Sequence, residues 1–284
     1  MPIRLPLNSL LVPVRPTGAR LNVGTLARYS SAVVLLPAEA DAVDWDSLPH
    51  GRLLAELYLA KSRKPGDAVH LRVGAKAETA LLAVCVADDA TTFERLQAAA
   101  RVAKRVLDEE PETLLILARG CAQAARDATL HALIAALQAA AFRFASFKSK
   151  PKAHVALARI DIAAPGLREL DLTLATSAGN NLARWLTALP PNTLDAAGYR
   201  QLLKSLAGRL KLDFKFYGEA QLRRLGAGAF LAVSQGNASR DAGIVHLTYH
   251  GRAGGRRATA AAPALSLVGK GICFDTGGTN LKTH

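Results

Sequence analysis

Three short aliphatic runs constrain this chain more than any other feature: Ser31 to Pro37 (SAVVLLP), Ala80 to Ala87 (ALLAVCVA) and Thr113 to Ala118 (TLLILA). Runs this short and this evenly apolar are buried on both faces, the pattern of strands inside a parallel sheet. Parallel neighbours need crossovers, and the intervening residues supply them. Phe93, Leu96, Ala100, Ala103 and Val106 recur at helical spacing behind an N-cap candidate in Thr91 or Thr92. Leu130, Leu133, Ile134, Leu137 and Ala141 do the same after Gly120. Strand, glycine, helix repeated in this way predicts an α/β layer fold.

A boundary follows. Phe147 to His154 (FKSKPKAH) is basic, polar and broken by Pro151, and it precedes the apolar VALARIDI. The reading places one domain in residues 1–150 and a second in residues 151–284. In the second, Leu167, Leu170, Leu174, Ala178, Leu182, Trp185 and Leu186 form a helical stripe that stops at Pro190 and Pro191. Another helix is expected from about Asp195. Strands are expected over Leu210 to Gly218, Gly243 to His250 and Ala264 to Gly269.

Composition closes off several classes. A chain of 284 residues, half of them hydrophobic, is long enough for two domains with their own cores. No long uncharged apolar run offers a membrane span, and the prolines of MPIRLPLNSLLVPVRP interrupt any signal-peptide helix, so a cytoplasmic location is expected. Cys85, Cys121 and Cys273 are too scattered for a disulfide framework and read as core residues. The net charge of +13 raises the question of nucleic acid, but the basic residues lie in small separate clusters without interleaved aromatics. A solvated basic surface is the favoured reading. His131, His246 and His250 have no Asp or Ser partner at recognisable spacing, which gives a hydrolytic triad little support.

The last twenty residues, LSLVGKGICFDTGGTNLKTH, are the richest in chemistry. Lys270 follows an apolar run, where a charged amine is costly unless something neutralises or uses it. No GxxxxGK[ST] and no GxGxxG occurs, so neither a phosphate loop nor a dinucleotide fingerprint accounts for the glycines. With Val268-Gly269-Lys270-Gly271, Phe274-Asp275-Thr276-Gly277-Gly278 and Lys282, the sequence resembles the leucyl aminopeptidase family of two-metal cytosolic aminopeptidases. RWLTALPPNTLDAAGYRQLL and LGAGAFLAVSQGN resemble segments that precede that signature.

The resemblance implies a smaller N-terminal α/β domain followed by a catalytic α/β domain with a mixed central sheet. It also implies two divalent ions, Mn²⁺ or Zn²⁺. Lys270 would be a metal ligand through its neutral amine, Asp275 would bridge the ions, and Lys282 would keep its charge beside the developing oxyanion. Peptides with a free N-terminus would be the substrates, and a homo-hexamer the assembly of a complete member. Such a member carries a further aspartate beyond Lys282, then an Asn-Thr-Asp-Ala-Glu-Gly-Arg run. NTLDAAGYR, Asn192 to Arg200, is not that run: it precedes Lys270, has an inserted leucine, and has Ala197 where a glutamate is needed. The expectation is an incomplete catalytic domain, inactive alone. The alternative is a non-catalytic regulatory or DNA-binding protein that uses its basic surface.

Overall fold

The computed structural model describes residues 5–18, 22–73, 79–144, 149–150, 155–236, 238–250, 265–271 and 273. They form two compact units, one spanning Leu7–Trp185 and the other combining Leu5 and Pro6 with the described residues from Leu186 on.

The first unit is built on a six-stranded sheet: β1 (Val14–Pro16), β2 (Ser31–Pro37), β3 (Ala68–Val73), β4 (Thr79–Val86), β5 (Thr113–Ala118) and β6 (Arg159–Ala163), in the order β1-β6-β5-β2-β4-β3. All neighbours are parallel except β3, which runs antiparallel to β4 at the edge. The three aliphatic runs are the centre, with Val33 of β2 level with Leu82 on one side and Ile116 on the other.

Their continuous apolar character follows from helices on both faces. On one face α3 (Thr92–Asp108) and α4 (Gln123–Ala141) send Val102, Val106, Leu130 and Leu137 against Val33, Leu35 and Val84. On the other, α1 (Val23–Leu26) and α2 (Gly51–Leu59) belong to a core where Leu26, Leu54 and Tyr58 meet Val34, Leu36 and Cys85. Of the two N-cap candidates Thr91 caps α3, in a reciprocal box with Glu94.

The boundary expected at residue 150 does not coincide with this division. β6 pairs with β5 on one side and with β1 on the other, so the apolar segment after Pro151 completes the first sheet. From α5 (Leu170–Ala188), Leu170 and Leu174 pack against the same core. Buried amides fix the start of the unit: the Gln138 side chain bonds both the N–H and the carbonyl of Val12 at 2.8 Å, and Asn181 Nδ2 donates to the carbonyl of Leu10 at 2.8 Å. A proline break marks a crossing here, because the sheet still has an edge for the next apolar run to join.

In the second unit α6 (Ala196–Leu210) starts at the N-cap Asp195, as expected. β7 (Asp213–Gly218) and β8 (Gly243–Thr248) pair antiparallel, joined through α7 (Glu219–Arg224) and α8 (Gly228–Ser234). A Cβ on Gly243 would lie 2.4 Å from Phe216 Cζ, so the two strands close only with glycine there. The strand expected over Ala264 to Gly269 is corrected. Ala264 lies outside the described residues; Leu265 to Gly269 carry no regular structure, and Leu265, Leu267 and Val268 are 83, 86 and 100% exposed. Apolar alternation makes a strand only where a neighbour accepts its hydrogen bonds, and among the described residues none pairs with this one. No helix among the described residues is long and apolar enough to cross a membrane.

Candidate functional site

The part of the closing signature that is described rests against the start of α6. Lys270 is exposed and lies in the irregular stretch before Gly271. A Cβ on Gly271 would come within 2.9 Å of Tyr199 Cε1, so the glycine lets the backbone lie against the aromatic ring of the first turn of α6. Asp275 and Lys282, the other expected site residues, lie outside the described residues.

The helix end beneath this stretch is held by two carboxylates. Asp195 Oδ1 accepts from the Gly198 N–H at 2.6 Å, and Asp241 Oδ2 accepts from the Ala197 N–H at 3.1 Å. Ser239 Oγ in turn donates to Asp241 Oδ1 at 2.7 Å. These bonds satisfy N–H groups that the first turn leaves without a helical partner, and the negative charges suit the positive end of the helix dipole. Cys273 lies in the same field: burial, followed by the charges of Asp195 and Asp241, raises its thiol above the ordinary range. It therefore stays protonated at neutral pH, which disfavours it as a thiolate ligand or nucleophile.

Behind α6 the surface is cationic and aromatic. Arg200 lies over the Phe216 ring at 4.6 Å and Lys215 over Tyr217 at 4.9 Å. Glu219 pairs with Arg223 and Arg240, and the hydrogen bond from Arg240 is the foremost cause holding its carboxyl below the usual range.

Chemically, the described groups stop short of a metal centre. Among the described residues no three His, Cys, Asp or Glu side chains cluster as an ion would require. Asp195 and Asp241 act as helix caps. Lys270 and Asp275 together offer one nitrogen and one carboxylate, a donor set that fits part of a site for a hard or borderline dication. Among the described residues the histidines form no triad: His250 Nε2 meets Asp213 Oδ2 at 2.8 Å with both residues exposed, and His246 faces Thr248 at 3.5 Å. Sequence reading missed the His250 pair because the register of β7 and β8, and not chain proximity, brings it together. It also missed Asp241, whose one local signal is the short Ser239-x-Asp241 spacing.

Comparison with known proteins gives this geometry a context. Residues 181–284 match the family model described as the catalytic domain of the cytosol aminopeptidase family. A probable cytosol aminopeptidase from Synechococcus sp. (strain JA-2-3B'a(2-13)) is 29% identical over 270 residues, 87% of this chain and 50% of the relative. One from Xanthomonas axonopodis pv. citri (strain 306) is 37% identical over 147 residues, 51% of this chain and 28% of the relative. Among solved structures, a tomato leucine aminopeptidase mutant superposes with a TM-score of 0.65 at 17% identity, covering 83% of this chain and 50% of that one. A bottromycin maturation enzyme in complex with Mn gives 0.54 at 22% identity over 74% of this chain and 43% of that one. These two likenesses establish a shared fold. The chain spans about half the length, or less, of the curated relatives it matches. Neither the fold nor these likenesses lend support to the nucleic-acid alternative.

Proposed function

We propose that this chain belongs to the cytosol (leucyl) aminopeptidase family, whose catalytic-domain model matches residues 181–284, and that it is the metal-binding portion of a peptidase that releases N-terminal residues from peptides. The observation that carries the reading is the run Val268-Gly269-Lys270-Gly271, Phe274-Asp275-Thr276-Gly277-Gly278 and Lys282, which falls wholly inside the matched segment 181–284.

Lys270 and Asp275 would hold two divalent ions, Mn²⁺ or Zn²⁺, with other carboxylates of the full fold. Bound there, such ions polarise the scissile carbonyl and lower the pKa of a water. Lys270 can serve only as the neutral amine, since an ammonium has no lone pair, so its proton must leave before it ligates. Asp275 would contribute a hard carboxylate to hold the ions. Lys282 would keep its charge and stabilise the carbonyl oxygen as negative charge develops on it. Gly277 and Gly278, having no side chains, would allow a peptide to approach the backbone.

Donor count sets the limit of this chain. An ion of this type takes about four to six ligands, and Lys270 with Asp275 supplies two groups for a pair of ions. The 284-residue chain is therefore expected to bind Mn²⁺ weakly and to leave a leucine anilide uncleaved. Once joined to the remaining half of a related aminopeptidase, it should become active. Calorimetry with Mn²⁺ on the chain and on Asp275→Ala, together with anilide hydrolysis by the joined protein and its Lys282→Ala variant, tests both steps. Identical titrations would remove Asp275 from the site, and a silent joined protein that binds Mn²⁺ would overturn the peptidase reading. A cytoplasmic location is part of the same proposal, supported by relatives named cytosol aminopeptidases; a hexameric assembly is proposed from the resemblance of the closing signature alone.

A further inference from the structure

Far from the closing signature in sequence, helices α3, α4 and α5 of the first unit enclose a cleft of about 360 Å³, within the usual size of small-molecule sites, roughly 300–1,000 Å³. Its floor is one face of α4, where Ala128, Ala132, Ala135 and Ala139 recur at helical spacing. At 1.5 Å per residue that strip is about 16 Å long. Leu96 of α3 and Leu172 of α5 line it, 47% and 64% exposed. Small residues below and large apolar ones beside, with Ser177, Asn180 and Asn181 of α5 also in the lining, make a channel suited to a narrow, flexible chain.

The cleft is charged at one end. Arg95 donates to the carbonyl of Ala125 at 3.5 Å, to Thr129 Oγ1 at 3.1 Å and to the carbonyl of Asp88 at 2.9 Å. These bonds fix the guanidinium beside the start of α4, at the Ala128 end of the strip. Among the described residues no carboxylate pairs with it. His131 lies next along the helix, its Nδ1 engaged by Thr173 Oγ1 at 2.7 Å, so contact with a ligand falls to Nε2. Thr92 and Thr176 add hydroxyls. The lining contains no Asp or Glu, so an ammonium group would meet no counter-charge there.

We propose that this cleft binds a small carboxylate with an unbranched alkyl tail, its carboxylate on Arg95 and its tail along the alanine strip toward Ala139. A guanidinium held by neutral acceptors keeps its charge available for a carboxylate. The missing acidic residue disfavours free amino acids and peptides, which separates this site from the one assigned above. The proposal does not rest on the aminopeptidase reading.

Calorimetric titration of the full chain with octanoate, decanoate, octylamine and leucine tests it. Saturable binding of both carboxylates is expected, with decanoate about tenfold tighter for its two extra methylenes, and no binding of octylamine or leucine. Arg95→Gln should weaken decanoate binding about tenfold or more, and Arg95→Lys should retain most of it. Ala135→Phe, which fills the strip without touching the charge, should abolish it. A thermal melt of each variant confirms folding, and Ala135→Phe guards against the case in which loss of the Arg95 bonds loosens α3. Octylamine binding as tightly as octanoate, affinity unchanged in folded Ala135→Phe, or no saturable decanoate binding would each overturn the proposal.

Discussion

The Cys121 thiol is directed at the carbonyls of Leu35 and Arg119, each 3.6 Å away, and its pKa is pushed up to about 12, first by burial and then by Asp88 and Cys85. Burial likewise raises Cys85, Tyr58 and Tyr29, the last also through its 2.8 Å bond to Asp161. The sign of the linkage is the same for all four. A folded-state pKa above the unfolded one means that the native state keeps protons the unfolded chain releases, so the stabilisation is complete below the unfolded value and is lost as pH rises through the folded one. For Cys121 the window runs from about 9 to about 12. The thermal midpoint is expected to fall steeply above pH 9, and Cys121→Ala should make that fall shallower, the remaining slope belonging to Cys85 and the tyrosines. Melts at half-unit steps from pH 8 to 11 check this, and equal slopes would remove Cys121 from the account. Composition alone marked the cysteines as core residues, which holds for Cys85 and in part for Cys121. The Tyr29–Asp161 bond was illegible, because β6 carries Asp161 to a tyrosine far away in the chain.

Strands β2, β4 and β5 were legible because burial on both faces leaves an unbroken aliphatic record. β3 was missed for the opposite reason: at the edge, AVHLRV alternates buried and exposed residues over one short stretch. The error at Leu265 to Gly269 has a related cause, since an apolar run records what it could bury against and not whether a neighbour is there. Lys270 was thus found from its motif and misplaced in its element. Glycines show how sharply an element junction can depend on one residue. Gly51 opens α2, and a Cβ there would lie 1.7 Å from the Trp45 carbonyl oxygen, which backbone cannot yield. Gly51→Ala should cost about 3 kcal/mol or more. Gly179 lies inside α5 with nothing within 4 Å of its Cβ position, and Gly179→Ala should stabilise by up to about 1 kcal/mol. Urea unfolding of both variants checks the pair; a neutral Gly51→Ala would show that the loop around Trp45 moves freely.

For the whole molecule, burial is divided unevenly between the two units. The first holds both hydrophobic clusters, with Leu35, Leu36, Leu54, Ile116 and Leu133 at or below 1% exposure. In the second, the buried apolar residues from Leu186 on are Leu194, Leu202, Leu206, Ala207 and Leu222 among those described, and both of its strands alternate between exposed and half-buried. Ordering a residue costs about 1–2 kcal/mol of backbone entropy, which burial must offset at roughly 25 cal/mol per Å². A three-layer sheet can meet that cost, whereas a two-stranded pair with five buried side chains is marginal. Residues 1–185 are therefore expected to fold alone with a single cooperative urea transition, and residues 186–284 to unfold gradually, without one. The cut belongs after Trp185, because ending the first fragment at 150 would remove β6 from between β5 and β1 and expose the edges of both. Circular dichroism of three fragments, 1–150, 1–185 and 186–284, decides the matter. Native-like cooperativity in 1–150 would restore the boundary suggested by Pro151, and a cooperative transition in 186–284 would show that its small core closes without further chain.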